Sequence, residues 1–219
     1  GFIIPRADAH QGEYVAPHDE RLTWLTGFTG SAGFCIALQE VAGVFIDGRY
    51  RLQVRDQVDL TQFTPVNWPE TKSADWLKKH LPDGGKVGFD PWLHTVAELE
   101  KLRGGLKDSG IELVPNENPV DAIWTNQPDK PDAPMVPHPI EFAGKSHTAK
   151  CAELRAELAK AGQRAAVLTL PDSIAWLLNT RGSDIERNPV TLAFAILQDS
   201  GNVDLFLNPA KVGDALRAH

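Results

Sequence analysis

The sequence predicts an α/β protein made of two similar domains, and three observations lead to this prediction. Predicted strands alternate with predicted helices along the 219 residues, as in folds whose helices cover a sheet. Part of the sequence occurs twice, because Trp24-Leu25 matches Trp176-Leu177 and Gly30-Ser31 matches Gly182-Ser183, both at an offset of 152 residues. Five prolines lie between residues 128 and 139, which predicts an extended, stiff linker between the domains.

The centre of each copy is a predicted hairpin. In the first copy a glycine-rich bend at residues 27–33 precedes short apolar runs at residues 34–38 and 44–46, which are bounded by turn residues as buried strands are. An Asp47-Gly48 turn ends the second run. The second copy repeats the hairpin at residues 194–198 and 203–207. An apolar strand precedes each hairpin, at residues 2–5 and 165–170.

Capping residues predict where several helices begin. Helices are expected after Asp8, Ser73, Thr95, Asn118 and Asp172. Thr95 and Glu98 have the spacing of a capping box, and Pro119 suits a first helical position. Further helices are predicted at residues 148–161 and from residue 209 onward. Strands at residues 86–89 and 111–114 alternate with the helices of the first copy.

We expect the first domain to cover residues 1–124, the linker residues 125–142 and the second domain residues 143–219. The first copy lacks the helix that leads into the second copy, and the second copy ends early, so we expect a truncated second domain and a longer parent polypeptide. Alternatively, the proline-rich stretch is a ligand for a proline-binding module. A domain on either side favours the linker instead.

Composition excludes several classes of protein. A formal net charge of −7 with scattered Lys and Arg argues against a nucleic-acid surface. No apolar run approaches the length of a membrane span, and no signal peptide is visible. Cys35 and Cys151 lie in apolar contexts without a CxxC spacing. We therefore expect buried free thiols and a reducing, cytoplasmic location.

No catalytic motif is found in the sequence. It contains no HExxH, nucleophile elbow or Walker loop, and its glycine-rich bend is too irregular for a dinucleotide fingerprint. The seven histidines show no metal-ligand spacing. The polar loop at residues 179–189 is much richer in charge than its counterpart in the first copy, and binding residues are expected to concentrate in such a loop. The alternative for this loop is a solvated surface with internal ion pairs.

Five motifs in order resemble the aminopeptidase P family, the Xaa-Pro aminopeptidases. They are DAHQGEY at residues 8–14, GFTGSAG at 27–33, DGRY at 47–50, VDAIW at 120–124, and RGSD with NPV at 181–190. The resemblance runs the length of the chain and is closest to the three-domain members. It implies two creatinase-type N-terminal domains, each a mixed sheet flanked by helices, ahead of a pita-bread catalytic domain.

The resemblance implies that the parent is a metallopeptidase that removes an N-terminal residue preceding proline. Two divalent metal ions, usually manganese, are held in the family by two Asp, one His and two Glu of the catalytic domain. We therefore expect this chain to contain no catalytic or metal-ligating residue, to bind no cofactor and to be inactive alone. Its expected partners are its own catalytic domain, peptides with penultimate proline and a second copy in a homodimer.

The same resemblance assigns the N-terminal domains to the wall of the active-site cleft and to dimerisation. The substrate-cleft candidates are Arg49, His10, Glu13, Arg181 and Asp184. For Arg49 the alternative is a local ion pair with Asp47. For His10 and Glu13, which are three residues apart in a predicted helix, the alternative is a solvated helix surface.

A non-enzymatic function is an alternative to the peptidase. Relatives that lost the metal ligands, including a histone-chaperone domain, use this architecture as a peptide- or protein-binding module without peptidase activity. Creatinase and prolidase are enzymatic alternatives. The paired N-terminal domains and the RGSD loop disfavour both of these.

Overall fold

The computed structural model describes residues 1–219, and the chain divides into two compact units. Unit 1 comprises Gly1–Ala9 and Pro17–Pro128. Unit 2 comprises His10–Ala16 and Asp129–His219. The short segment His10–Ala16 thus belongs to unit 2, although its neighbours in the sequence on both sides belong to unit 1. The domain and linker boundaries expected from the sequence stay predictions.

Unit 1 contains a six-stranded mixed sheet in the order β4-β3-β2-β1-β5-β6. The strands are β1 (Phe2–Pro5), β2 (Gly33–Ala37), β3 (Ala42–Ile46), β4 (Phe63–Asn67), β5 (Gly85–Phe89) and β6 (Ile111–Pro115). Strand β2 is antiparallel to both β1 and β3, whereas the β3–β4, β1–β5 and β5–β6 pairs are parallel. The helices are α1 (Arg21–Thr26), α2 (Gln53–Gln57), α3 (Ser73–His80), α4 (Val96–Gly105) and α5 (Pro119–Ile123).

Both faces of this sheet are buried. Successive side chains of a strand point to opposite faces, so Phe45 of β3 lies in one core while Val44 and Ile46 lie in the other. Helices α3 and α4 cover the Phe45 face through residues that include Trp76 and Leu99. Helices α1, α2 and α5 cover the opposite face. The predicted α/β class, with a mixed sheet flanked by helices, is confirmed.

Unit 2 contains a three-stranded antiparallel sheet in the order β11-β10-β8 and a separate two-stranded ribbon. Its strands are β7 (Val136–Pro137), β8 (Ala165–Leu168), β9 (Thr180–Arg181), β10 (Phe194–Gln198) and β11 (Val203–Phe206). Its helices are α6 (Ile140–Ala143), α7 (His147–Lys160), α8 (Pro171–Leu178) and α9 (Asp214–Ala218). One sheet face packs on α7 and α8, where Leu197 of β10 joins Leu158 and Leu177.

The predicted duplication is confirmed by strand order and register. The arrangement β3-β2-β1 of unit 1 corresponds to β11-β10-β8 of unit 2, and α1 and α8 occupy the same place between the first two strands. Ile36 of β2 pairs with Ile3 of β1, as Ile196 of β10 pairs with Val167 of β8. Each copy is therefore a strand, a helix and an antiparallel hairpin.

The two copies differ in how one sheet face is covered. Ile3 and Phe45 are 4% and 0% exposed beneath α3 and α4. Their register equivalents in unit 2, Val167 and Phe206, are 70% and 53% exposed and belong to no buried cluster. The three corresponding strands thus form a sheet with two buried faces in unit 1 and with one fully buried face in unit 2.

Several predicted helix starts are wrong. Residues 8–14 form turns instead of a helix, because Gln11 adopts a φ of 58°, in the left-handed region that a continuing α-helix excludes. Ser73 and Asp172 lie within the first turns of α3 and α8, and neither helix has a side-chain cap. The short helices α1 and α2 were not predicted.

Other predicted boundaries are confirmed. The Thr95–Glu98 capping box opens α4, and Asn118 caps α5 ahead of Pro119. The predicted C-terminal helix is split into a 3₁₀ turn at Pro209–Lys211 and the short helix α9. The longest helix, α7, has 14 residues, and no helix combines the length and hydrophobicity needed to cross a bilayer.

The difference between the two sheet faces predicts unequal effects of matched substitutions. Ile3→Ala should lower the free energy of unfolding by about 2–5 kcal/mol, because it removes a fully packed side chain. Val167→Ala, at the equivalent position, should change it by less than about 0.5 kcal/mol, because that side chain is already in solvent. Urea unfolding followed by circular dichroism measures both. Equal losses would contradict the assignment of one buried and one exposed face.

Candidate functional site

The five candidate residues do not form one cluster within either unit. Arg49 lies in unit 1, whereas His10, Glu13, Arg181 and Asp184 lie in unit 2. Within unit 2, Arg181 and Asp184 share the loop that follows α8. The role of each residue in a substrate cleft stays a prediction.

Arg49 forms the local ion pair with Asp47. Its guanidinium group donates to both carboxylate oxygens of Asp47 at 2.8–3.2 Å, and its carbon Cζ lies 5.1 Å from the ring centre of Tyr50. The hydrogen bonds from Arg49 hold the pKa of Asp47 below its usual value. The Arg49 side chain is 63% exposed, and exposed pairs stabilise by only about 0–1 kcal/mol. Strand β3 and a 3₁₀ turn thus present an arginine to solvent at little energetic cost.

His10 is buried in unit 2, and Glu13 is exposed. The His10 ring stacks on Phe194 of β10 at 4.4 Å, and its Nδ1 lies 3.1 Å from the carbonyl oxygen of Thr169. Since a carbonyl oxygen only accepts hydrogen bonds, this contact requires the proton on Nδ1. The expected helix face shared by His10 and Glu13 is wrong, because no helix forms there.

Asp184 is buried and anchors its loop. Its Oδ2 accepts hydrogen bonds from Nζ of Lys211 at 2.5 Å and from the backbone N–H of Leu192 at 2.6 Å. The side chains of Asp184 and Lys211 are 0% and 4% exposed. Sequence reasoning missed Lys211, because a partner 27 residues away leaves no local pattern. This contact gives Asp184 a structural role inside unit 2.

Gly182 allows the two sides of this loop to approach closely. The N–H groups of Gly182 and Asp184 donate to the carbonyls of Pro189 and Val190. A Cβ atom at position 182 would lie 2.1 Å from Oγ1 of Thr191. Any larger residue would therefore push the loop apart, which explains glycine in the RGSD motif.

Arg181 has no acidic partner within the chain. Its Nη1 donates to the carbonyl oxygens of Thr180 at 2.7 Å and Ala175 at 3.4 Å. Strand β9 holds its backbone against Val136 of β7. Contacts with the backbone therefore hold Arg181 in place, and no carboxylate neutralises its charge.

A buried lysine supports the same region. Lys150 of α7 donates to the carbonyl of Trp176 at 2.8 Å and to Oδ1 of Asn179 at 2.6 Å, so it caps the C-terminal end of α8. Its Nζ also lies 4.5 Å from the ring centre of Trp176. Burial lowers the pKa of Lys150, and the positive charges of Arg181 and Lys145 lower it further. Sequence reasoning missed this residue, because its partners lie 26 and 29 residues away.

Two clefts in unit 2 flank the Trp176 side chain. The larger, of about 390 Å³, has the apolar walls Leu154, Leu168 and Leu177. The smaller, of about 210 Å³, is lined by Arg181 and by residues 188–190 of the loop. Asp172 and Trp176 line both clefts. We refer to this pair as the Trp176 clefts.

The VDAIW motif has a structural role in unit 1. Asp121 binds the buried guanidinium of Arg21 through two hydrogen bonds of 2.6 and 3.1 Å, and Trp124 stacks on Trp24 at 5.4 Å. Burial lowers the pKa of Arg21, but its hydrogen bonds to Asp121 and Asp19 outweigh this effect and raise it. These contacts fasten α5 to α1.

Neither the thiols nor the acidic residues form a reactive centre. Cys35 and Cys151 are free and buried as predicted, and burial raises the pKa of the Cys35 thiol to about 12. A thiol protonated at neutral pH is a poor nucleophile and a poor metal ligand. No group of three or more His, Cys, Asp and Glu side chains is arranged to hold a metal ion.

The buried position of Asp184 predicts a large effect of its substitution. Asp184→Asn should lower the free energy of unfolding by about 3–5 kcal/mol, because it leaves the Lys211 ammonium buried without a counter-charge. Glu186→Gln is the matched control in the same loop, since its pair with Arg187 is exposed and should change stability by only about 0–1 kcal/mol. Denaturant unfolding of both variants measures the difference. A stable Asp184→Asn protein would leave this carboxylate available for a cleft role instead.

The chain is similar to part of several longer proteins. The relatives named "Probable Xaa-Pro aminopeptidase P" include those of Coccidioides posadasii, 40% identical over 228 aligned positions, and Paracoccidioides lutzii, 37% identical over 222. In both cases the match covers 100% of this chain and 36% of the relative. The chain thus spans about a third of the length of these proteins.

A solved structure agrees with the fold. The X-prolyl aminopeptidase of Caenorhabditis elegans, described as a cytosolic enzyme with a di-nuclear active site, superposes with a TM-score of 0.94 at 33% identity. The match covers 99% of this chain and 36% of that one. Two family models, both described as creatinase/prolidase N-terminal domain, match residues 8–123 and 126–219. The chain therefore belongs to the creatinase/prolidase N-terminal domain family and carries two such domains in succession.

Proposed function

We propose that this chain is the non-catalytic N-terminal region of an Xaa-Pro aminopeptidase, a peptidase that removes an N-terminal residue preceding proline. The observation that supports this most strongly is the match of the whole chain to about a third of relatives that bear that name. The likeness to the Caenorhabditis elegans enzyme over 99% of the chain points the same way.

The proposed enzyme holds its two divalent metal ions, manganese in our proposal, outside these 219 residues. The solved relative has a di-nuclear active site, whereas this chain offers no group of three side chains that fits a metal ion. When bound, paired ions activate a water molecule and polarise the scissile carbonyl. No residue of this chain is assigned to that chemistry.

The proposed contribution of this chain is to wall the substrate cleft and to support a cytoplasmic homodimer. Arg49 suits the first role, because a rigid strand end presents its exposed guanidinium group. Arg181 suits it because backbone contacts fix the side chain while no carboxylate neutralises it. A planar guanidinium offers paired donors to a peptide carbonyl or carboxylate. His10, Glu13 and Asp184 complete the proposed set, although His10 and Asp184 are buried in local contacts.

The alternative proposal is a creatinase-like module that binds peptides or proteins and belongs to a polypeptide without peptidase activity. The two proposals differ in the metal ligands of the polypeptide beyond this chain. An intact set of two Asp, one His and two Glu in the parent reading frame would favour the peptidase. A parent that lacks them would favour the binding module.

The chain alone should not cleave peptides. With added manganese and an Arg-Pro-Pro-type peptide, release of the N-terminal residue should not exceed a control without protein, because this chain provides no metal-binding group. Mass spectrometry of the peptide measures the release. Turnover well above the control that a chelator abolishes would overturn the assignment of this chain as non-catalytic.

Arg49→Ala, made in the full-length enzyme, should lower kcat/KM by about ten- to a hundredfold, as expected for losing one charged hydrogen bond to the substrate. The melting temperature should stay nearly unchanged, because the exposed pair with Asp47 contributes little stability. Steady-state kinetics and thermal melts on the same preparations separate the two effects. A variant that melts several degrees lower with normal kcat/KM would assign Arg49 to structure.

A further inference from the structure

We propose that the Trp176 clefts bind the C-terminal end of a short peptide, with a ring-bearing side chain against the indole of Trp176 and the terminal carboxylate on Arg181. This inference goes beyond the proposed function. It assigns a binding activity to unit 2 itself, which needs no metal ion and no peptidase domain.

The internal repeat indicates that an aromatic ring could stack on Trp176. Trp24 and Trp176 occupy the same position in α1 and α8, at the offset of 152 residues that relates the two copies. In unit 1, Trp24 stacks on Trp124 with ring centres 5.4 Å apart and an angle of 19°. In unit 2, Trp176 is 52% exposed, and its ring contact is the Lys150 ammonium. A second aromatic ring thus stacks on the tryptophan of unit 1, whereas no aromatic ring contacts Trp176, which stays half exposed in unit 2.

The larger cleft has the size and walls for such a ring. Its volume of about 390 Å³ falls within the range of about 300–1,000 Å³ typical of small-ligand sites. Leu154, Leu168 and Leu177 provide apolar contacts beside the indole. An aromatic ring stacked on tryptophan is stabilised beyond the burial of its area.

The smaller cleft provides the positive charge and the hydrogen-bond donors that a carboxylate needs. Nη1 of Arg181 is occupied by two backbone carbonyls, whereas its Nε and Nη2 donors make no hydrogen bond within the chain. A carboxylate accepts two parallel hydrogen bonds from a guanidinium group, so the unused donors match this ligand. Lys150 adds positive charge nearby, and its burial, together with repulsion from Arg181 and Lys145, lowers its pKa.

Asp172 determines which anionic ligand fits. It lines both clefts and lies one helical turn before Trp176 on α8. Its carboxylate would repel a ligand that is only anionic, but it accepts a hydrogen bond from a peptide N–H or ammonium group. A short peptide carries a group for each part of the clefts, namely an N–H donor for Asp172, a ring for Trp176 and a carboxylate for Arg181. Inorganic phosphate provides only the anion.

The test uses the ¹⁵N-labelled chain, titrated separately with the dipeptides Gly-Phe and Gly-Ala, with Gly-Phe amide and with inorganic phosphate. Gly-Phe should bind with a millimolar Kd and should shift the indole N–H signal of Trp176, assigned from Trp176→Phe. Gly-Phe amide and Gly-Ala should each bind about tenfold more weakly, since one lacks the carboxylate and the other the ring. Phosphate should leave the indole signal unmoved.

Arg181→Gln should weaken Gly-Phe binding about tenfold, whereas Arg187→Gln is the control in the same loop and should change the Kd less than twofold. The Arg187 side chain is 90% exposed, and it is paired with Glu186. Should Arg181→Gln fail to fold, the comparison of Gly-Phe with its amide on the unaltered chain decides the role of the carboxylate. Equal affinity for Gly-Phe and its amide, shifts that avoid Trp176, or no binding of Gly-Phe would overturn the proposal.

Discussion

The structure of each unit depends on the one strand that is antiparallel to both of its neighbours and hydrogen-bonded to each of them. In unit 1 this strand is β2, which pairs with β1 and β3, and in unit 2 it is β10, which pairs with β8 and β11. Pairing on both edges fixes the register, and the register decides which side chains face each side of the sheet. The helix between the first two strands must then cover the face that carries Cys35 in unit 1 and Ala195 in unit 2.

The motifs that identify the family have largely structural roles in this chain. Asp121 and Trp124 fasten α5 to α1 through Arg21 and Trp24. Asp184 anchors its loop through a buried ion pair, and its role there explains why the loop can hold a neighbouring arginine in a fixed position. Removing either partner of such a buried pair leaves the other charge uncompensated, so the loop depends on both residues. Arg181, which we propose as a binding residue, lies beside such an anchor.

The hairpins, the capping box of α4 and the duplication were predictable, because each leaves a local pattern such as alternating apolar residues or a Thr–Glu spacing. Contacts between residues distant in sequence leave no such pattern. Lys211 as the partner of Asp184, Lys150 beneath Trp176 and the membership of His10 in unit 2 were therefore missed. The solvent exposure of Val167 could not be predicted either, because its strand is as apolar as that of Ile3. The two positions differ only in whether helices cover that face of the sheet. The motifs therefore indicated which residues were candidates, but they did not indicate which of these residues would be buried.

Backbone hydrogen exchange tests most directly the claim that one unit occurs twice with different coverage. Amides of β1, β2 and β3 should exchange slowly, because these strands are paired and buried on both faces. In unit 2, β10 should also exchange slowly, whereas β8 and β11, each paired along one edge, should each contain amides that exchange at least about tenfold faster than those of β10. Protection of β8 and β11 equal to that of β1 and β3 would contradict the account.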